Sequence, residues 1–195
     1  GLLAVALLSA LLLMATRLRW LEQRLGGLDR LYLLHKWSGI SSGLLVLLHW
    51  LLSKSPRWLI ELGWLEAAPR RPHQADMWRE IAKEFGEIAF YGMVIFLIIS
   101  LARKLPYERF RLVHKLGAVL ALLALLHSLY LLAPELRWTS FGLWAQALCL
   151  LGIGAALWSL TGQIGRGQRY TAELVAIRRH DNRVVEIDLQ LPLTF

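Results

Sequence analysis

The sequence predicts an all-α membrane protein, a multi-helix transmembrane bundle, with a short β-hairpin after it. Three observations carry this expectation. Five apolar runs approach the roughly 20 residues that a spanning helix needs. Basic residues collect in the gaps between those runs and do not line one polar face. Strand-like patterning appears only beyond the last run. The bulk numbers agree: 56% of the 195 residues are hydrophobic and 18% charged, whereas soluble domains run at about 45–50% and about 25%. Nine tryptophans suit a chain that crosses two water–lipid interfaces, where indole rings accumulate.

The first run, Leu2 to Thr16 or slightly beyond, is short and ends at Arg17 and Arg19. The second extends from about Leu31 to Leu52. The third, Ile88 to Leu101, reaches back through Phe85 and stops before Arg103, Lys104 and Pro106. The fourth runs from about Leu112 to Ala133, closed by Pro134, and the fifth from about Phe141 to Leu160. Between the second and third lies the longest loop, Ser53 to Glu84, punctuated by Pro56, Pro69 and Pro72. Its apolar piece, Trp58 to Ala68, is too short to cross and is expected to lie on the membrane surface. His73, in the polar and proline-flanked part of the loop, is expected to be solvated.

Charge sets the orientation. Arg17, Arg19, Arg24 and Arg30 lie between the first and second runs; Arg103, Lys104, Arg109 and Arg111 lie between the third and fourth; Arg166 and Arg169 follow the fifth. These three connections fall on one side, which the positive-inside rule makes cytoplasmic. The long loop is basic too, with Lys54, Arg57, Arg70, Arg71, Arg79 and Lys83, but acidic residues dilute it. Scattered in this way, the net charge of +8 marks loops and gives no nucleic-acid surface. The single cysteine, Cys149, sits inside an apolar run and reads as a small buried side chain. Gly1 opens directly in an apolar run with no basic region before it, so a preceding segment is expected.

The character of the chain changes after the fifth run. Leu174-Val175-Ala176-Ile177 and Val184-Val185-Glu186-Ile187-Asp188-Leu189 read as strands, and His180-Asp181-Asn182 as turn chemistry between them. One hairpin is marginal alone, so it is expected to begin a soluble domain. His180 is read as a turn residue.

Four histidines give the chemistry. Leu34-His35-Lys36-Trp37-Ser38-Gly39 in the second run is echoed by Val113-His114-Lys115-Leu116-Gly117 in the fourth, and each run carries another histidine, His49 and His127. A polar group at membrane depth is costly and marks function by default. His35 and His49 stand 14 residues apart, about 21 Å along a helix and about 40° around it, so one metal cannot use both. His114 and His127 are 13 apart, about 19–20 Å, but about 140° around an ideal helix. That mismatch calls for an irregularity near Gly117, or for two ligands approached from different sides. With one span between them the two helices run in the same direction, which levels His35 with His114 and His49 with His127. Two haems, each between one histidine of each helix, satisfy this arrangement, since iron accepts axial imidazoles and a flat macrocycle suits a Leu-rich slot. Gly39, Gly43 and Gly117 would admit a macrocycle, or else serve plain helix packing. Lys36 and Lys115 read equally as partners of haem propionates or as interfacial anchors. A single histidine would be read as a buried hydrogen-bonded side chain; four in this register point to ligation. Zinc would want more ligands around one point, and a proton relay would draw on intramembrane Asp or Glu, which both runs lack.

These residues resemble the membrane domain of the ferric reductase and NADPH oxidase superfamily. The likeness covers HKWSG…LLH, HKLG…LLH, the 14 and 13 spacings and a tail similar to the opening strands of a ferredoxin-reductase-type flavin domain. It implies six helices, one of them before Gly1, holding two b-type haems: an inner one on His35 and His114 and an outer one on His49 and His127. It divides the chain into a di-haem domain, residues 1–165, and a linker with the start of an FAD-binding domain, residues 166–195. FAD and NAD(P)H are implied in a cytosolic reductase module, fused or separate, that feeds the inner haem. Two departures stand out. No flavin or nicotinamide motif is present here, and where oxidases of the family often carry a further histidine one turn beyond the outer ligand, this chain has Ser53.

The expected function is transmembrane electron transfer in a bacterial inner membrane, with the C-terminus cytoplasmic, ending on an external acceptor, ferric iron or oxygen. Two other readings stay open. One is a haem subunit passing electrons from a separate flavoprotein to a periplasmic reductase such as a methionine sulfoxide reductase. The other, non-redox, is a small transporter or scaffold whose histidines are structural.

Overall fold

The computed structural model describes residues 1–67, 76–102, 106–162, 164, 171–181 and 184–191. His73, Pro69, Pro72, four basic loop residues (Arg70, Arg71, Arg103 and Lys104), Arg166, Arg169 and the turn residue Asn182 lie outside them, so the expectations placed on those residues stay at the sequence level. Two compact units are present, Gly1–Ile164 and Gly165–Phe195.

The first unit is helical: α1 (Leu2–Ala15), α2 (Arg19–Arg24), α3 (Leu28–Glu61), α4 (Met77–Leu101), α5 (Tyr107–Leu131), a 3-10 turn at Pro134–Leu136, and α6 (Ser140–Leu160). Helices α3, α4, α5 and α6 are each long and apolar enough to cross a membrane, while α1 is apolar but shorter. This is the all-α multi-pass bundle the sequence predicts. The helix starts follow ordinary capping physics. The Asp76 carboxylate accepts from the Trp78 and Arg79 backbone amides and opens α4 well before the expected boundary. The Thr139 hydroxyl accepts from the Gly142 amide and opens α6. Between α2 and α3 the chain turns through Gly26 and Gly27, at φ +85° and +102°, a backbone region that side chains other than glycine rarely tolerate.

The core lies among α1, α5 and α6. Val5, Leu8 and Leu12 meet Ala118, Ala121 and Leu125, with Cys149, Ala155 and Ala156 closing the group. Small residues let the backbones approach. A Cβ added at Gly152 would fall 2.6 Å from the Ser9 hydroxyl, and that fully buried hydroxyl donates to the Leu148 carbonyl at 2.8 Å, tying α1 to α6.

Helix α3 differs. Leu31 and Ser42 are its only fully buried described residues, and it packs on α1 and α4. Its 34 residues span about 51 Å, well beyond a hydrocarbon core of about 30 Å. The helix continues through Pro56, so Trp58–Glu61 is its last turn, where the sequence reading has the span end at Leu52 and a loop begin at Ser53. Pro56 has no amide to give the Leu52 carbonyl four residues back. The Ser55 hydroxyl donates to that carbonyl instead, at 2.9 Å, and the Ser53 hydroxyl does the same for Trp50 at 2.8 Å.

The second unit is an antiparallel hairpin of β1 (Glu173–Asp181) and β2 (Val184–Gln190). Register irregularities at Val175 and His180 interrupt the pairing. The first keeps Leu174, opposite Leu189, on the same face as Ile177, opposite Ile187. Arg178, Glu186 and Asp188 share the other face, with Arg178 3.3 Å from Asp188. His180 belongs to β1, and its imidazole is hydrogen-bonded to the Glu186 carboxylate. It is a cross-strand partner, not a turn residue, because the extra residue at the bulge keeps it within reach of the opposite strand.

Candidate metal-ligating site

The histidine pairs are set by two helices that meet through their side chains. Helix α3 leans on α1 and α4, and α5 on α4 and α6. His35 of α3 faces His114 of α5 with ring centroids 5.9 Å apart and planes tilted by 56°. His49 and His127 lie within electrostatic range of each other at the far end of the same two helices. The parallel course of α3 and α5 therefore levels the residues in the two pairs that the spacing predicts.

Each layer has its own surroundings. His114 is stacked on Phe110 of its own helix, 4.9 Å away and 28° from parallel, and Phe96 of α4 lies 5.3 Å off. His35 turns its Nδ1 to the Leu11 carbonyl of α1, at 3.2 Å. His127 turns its Nδ1 to the Ala82 carbonyl of α4, at 2.8 Å. A backbone carbonyl has only lone pairs, so each of these contacts requires Nδ1–H and leaves Nε2 as the ring's acceptor atom. Histidine ligands are commonly oriented in this way by a second hydrogen bond. His114 Nδ1 is buried without a hydrogen-bond partner among the described residues. His49 is the exposed member of the four and lies beside Gly1, 3.7 Å from a Cβ placed there. Helix α1 therefore begins at the His49 layer and passes the His35 layer at Leu11.

The 140° mismatch on α5 is resolved without an irregularity. The helix is unbroken from Tyr107 to Leu131, and its two imidazoles find different partners, His114 the His35 ring of α3 and Phe96 near the end of α4, His127 the Ala82 carbonyl near the start of α4. Room for His127 comes from Gly86, whose missing Cβ would sit 2.3 Å from Nδ1. Sequence reasoning passes over Gly86. Its signal is a small residue one turn after Ala82 in a helix that also carries Ala89 and Gly92, a pattern too common to single out.

Three other glycines have two readings open to them, room for a macrocycle or plain helix packing. The space over Gly39 is taken by Leu11, that over Gly43 by Leu97, and that over Gly117 by Phe96, as helix packing requires. Lys36 is exposed with its ammonium over the Trp37 ring, 5.8 Å from the centroid, as an interfacial cation would be. Lys115 is exposed as well.

The donor chemistry fits a metal held by two imidazoles. With metal–nitrogen bonds of about 2 Å, rings on opposite sides of one ion have centroids roughly 6 Å apart, close to the His35–His114 separation. Among the described residues no group of three or more His, Cys, Asp or Glu side chains converges, so a closed tetrahedral centre has no ligand set here. Iron in a macrocycle needs from the protein only the two axial positions.

Comparison with known proteins places the sequence. The family model described as Ferric reductase like transmembrane component matches residues 1–125, which include α1 to α4 and three of the four histidines. No curated protein matches the chain.

Proposed function

Because the chain belongs to the ferric reductase-like transmembrane family, whose role is transmembrane redox transfer, we propose that it conducts electrons through two b-type haems. One is held by His35 and His114 and the other by His49 and His127. The observation that carries this reading is the opposition of His35 and His114 across two helices, with the Leu11 carbonyl fixing the His35 tautomer.

When bound, the haems supply the one-electron chemistry; the protein supplies ligands, spacing and a dry wall. The Leu11 carbonyl holds the Nδ1 proton of His35, and the Ala82 carbonyl holds that of His127, so both rings present Nε2. The 14- and 13-residue separations hold the two layers about 20 Å apart along the helices. Leu44, Leu45, Val46, Leu47 and Leu48 on α3, and Leu122, Leu123, Leu125 and Leu126 on α5, keep the interval between them apolar. In this reading His35 and His114 would hold the haem nearer the cytoplasmic donor, and His49 and His127 the one nearer an external acceptor, ferric iron or oxygen. The donor is a flavin and NAD(P)H module on the cytoplasmic side. The hairpin supports its being fused to this chain, since Leu174, Ile177, Ile187 and Leu189 are all more than half exposed on one face and need further strands to cover them.

Absorbance of the purified membrane protein tests the reading. A b-type spectrum with two haems per chain, reducible by dithionite, is expected. A haem-replete preparation with no such spectrum refutes it and leaves the histidines structural.

A further inference from the structure

We propose that Gly86 of α4 is a positioning residue for the His49 layer: it keeps open the space through which His127 reaches the Ala82 carbonyl. This rests on the reading of His127 as a haem ligand and adds to it a determinant that lies outside the four histidines.

The argument starts from helix geometry. Within α4 the Ala82 carbonyl already accepts from the amide four residues on, which is that of Gly86. A carbonyl has a second lone pair, but a helical side chain leans toward the N-terminus and covers the turn before it. The side chain at position 86 therefore shields the Ala82 carbonyl from outside donors. Glycine leaves it bare. The His127 ring fills that space, with Nδ1 2.3 Å, Cε1 2.4 Å and Cγ 2.9 Å from where a Cβ would be, and it hydrogen-bonds the carbonyl at 2.8 Å. A methyl group there collides with a ring that a hydrogen bond holds, so the ring must leave and the Nδ1–H loses its acceptor. His35 shows the same arrangement in milder form: its acceptor is the Leu11 carbonyl, and the residue four further on is Ala15, the smallest side chain after glycine.

Position 92 supplies the control. Gly92 also lies on α4, and a Cβ there would meet Leu120 of α5 at 2.4 Å, as tight a contact but with a flexible aliphatic side chain. Gly86→Ala and Gly92→Ala thus add the same methyl group between the same two helices, and only the first touches a ligand. The experiment is haem stoichiometry and low-temperature electron paramagnetic resonance on the purified full chain, comparing wild type, Gly86→Ala, Gly92→Ala, His127→Leu and His114→Leu. Expected is loss or a shifted low-spin signal of one haem in Gly86→Ala, the same haem that His127→Leu removes, with the other signal unchanged and Gly92→Ala like wild type. The proposal is overturned by a Gly86→Ala spectrum identical to wild type, by an equal change in Gly92→Ala, or by a change confined to the haem that His114→Leu removes. If His127→Leu itself leaves both haems in place, the ligand assignment fails, and that failure is read independently of Gly86.

Discussion

Replacing His114 by leucine should remove one haem and spare the other. Leucine nearly matches imidazole in bulk, so the pocket between Phe110, Phe96 and His35 stays filled while the axial nitrogen disappears. The lesion is local because of distance. His127 lies 13 residues along α5, about 20 Å away, and its ring is anchored to α4 by the Ala82 carbonyl, not by anything in the His114 layer. The fold should also survive. Among the described residues His114 Nδ1 has no hydrogen-bond partner, so its removal costs the protein fold no Nδ1 hydrogen bond and relieves an unsatisfied group that costs about 1–3 kcal/mol when buried. The expected stoichiometry is one haem per chain, measured as the pyridine haemochromogen against protein concentration, in a preparation as monodisperse as wild type. Two haems retained, or none in a folded protein, would refute the two-layer assignment, because either outcome means that the layers are not independent.

Three other outcomes follow from the same geometry. His49→Leu should remove the other haem and stop reduction of an external acceptor, while the His35 layer remains reducible from its own side; difference spectra with a donor on each side of reconstituted vesicles check this. Ser55→Ala should lower stability by about 0.5–1.5 kcal/mol, since it strands the Leu52 carbonyl that Pro56 cannot serve; adding Pro56→Ala should recover much of the loss in chemical denaturation, a non-additivity expected of two groups that share one acceptor. Ser9→Ala should cost roughly 0.6 kcal/mol, and at most about 1.7 kcal/mol, the range measured for hydrogen bonds between membrane helices, through loss of its bond to the Leu148 carbonyl; a thermal-shift series would show it.

Legibility in the sequence depended on whether a feature is periodic or relational. The helices were readable because length and apolarity are properties of one stretch, and α6 starts at Ser140, one residue from its expected boundary. The levelling of His35 with His114 was readable as well, since a fixed rise per residue turns equal spacing into equal depth. Boundaries set by backbone exceptions were not. Pro56 ordinarily ends a helix, and only the Ser55 hydroxyl explains why α3 continues. His180 read as a turn residue because the bulge that places it against Glu186 depends on pairing with the other strand. The acceptors for His35 and His127 are main-chain carbonyls, which every residue has, so no residue type could have announced Leu11 or Ala82.

That asymmetry explains how the bundle distributes its labour. The tight core of α1, α5 and α6 is built from alanine, leucine and glycine, with one interhelical hydrogen bond from Ser9, and it contains none of the four histidines. The histidines instead occupy the seam where α3 meets α5, where a cofactor displaces side chains more readily than it could in a core whose members are at most 8% exposed. Rigidity reaches the seam indirectly. Helix α1 carries Leu11 from the core to His35, and α4, packed along α5, carries Ala82 and Gly86 to His127. His35 and His127 thus take their orientation from different neighbours, so a packing change confined to Ala82 and Gly86 of α4 should disturb His127 and leave His35 in place.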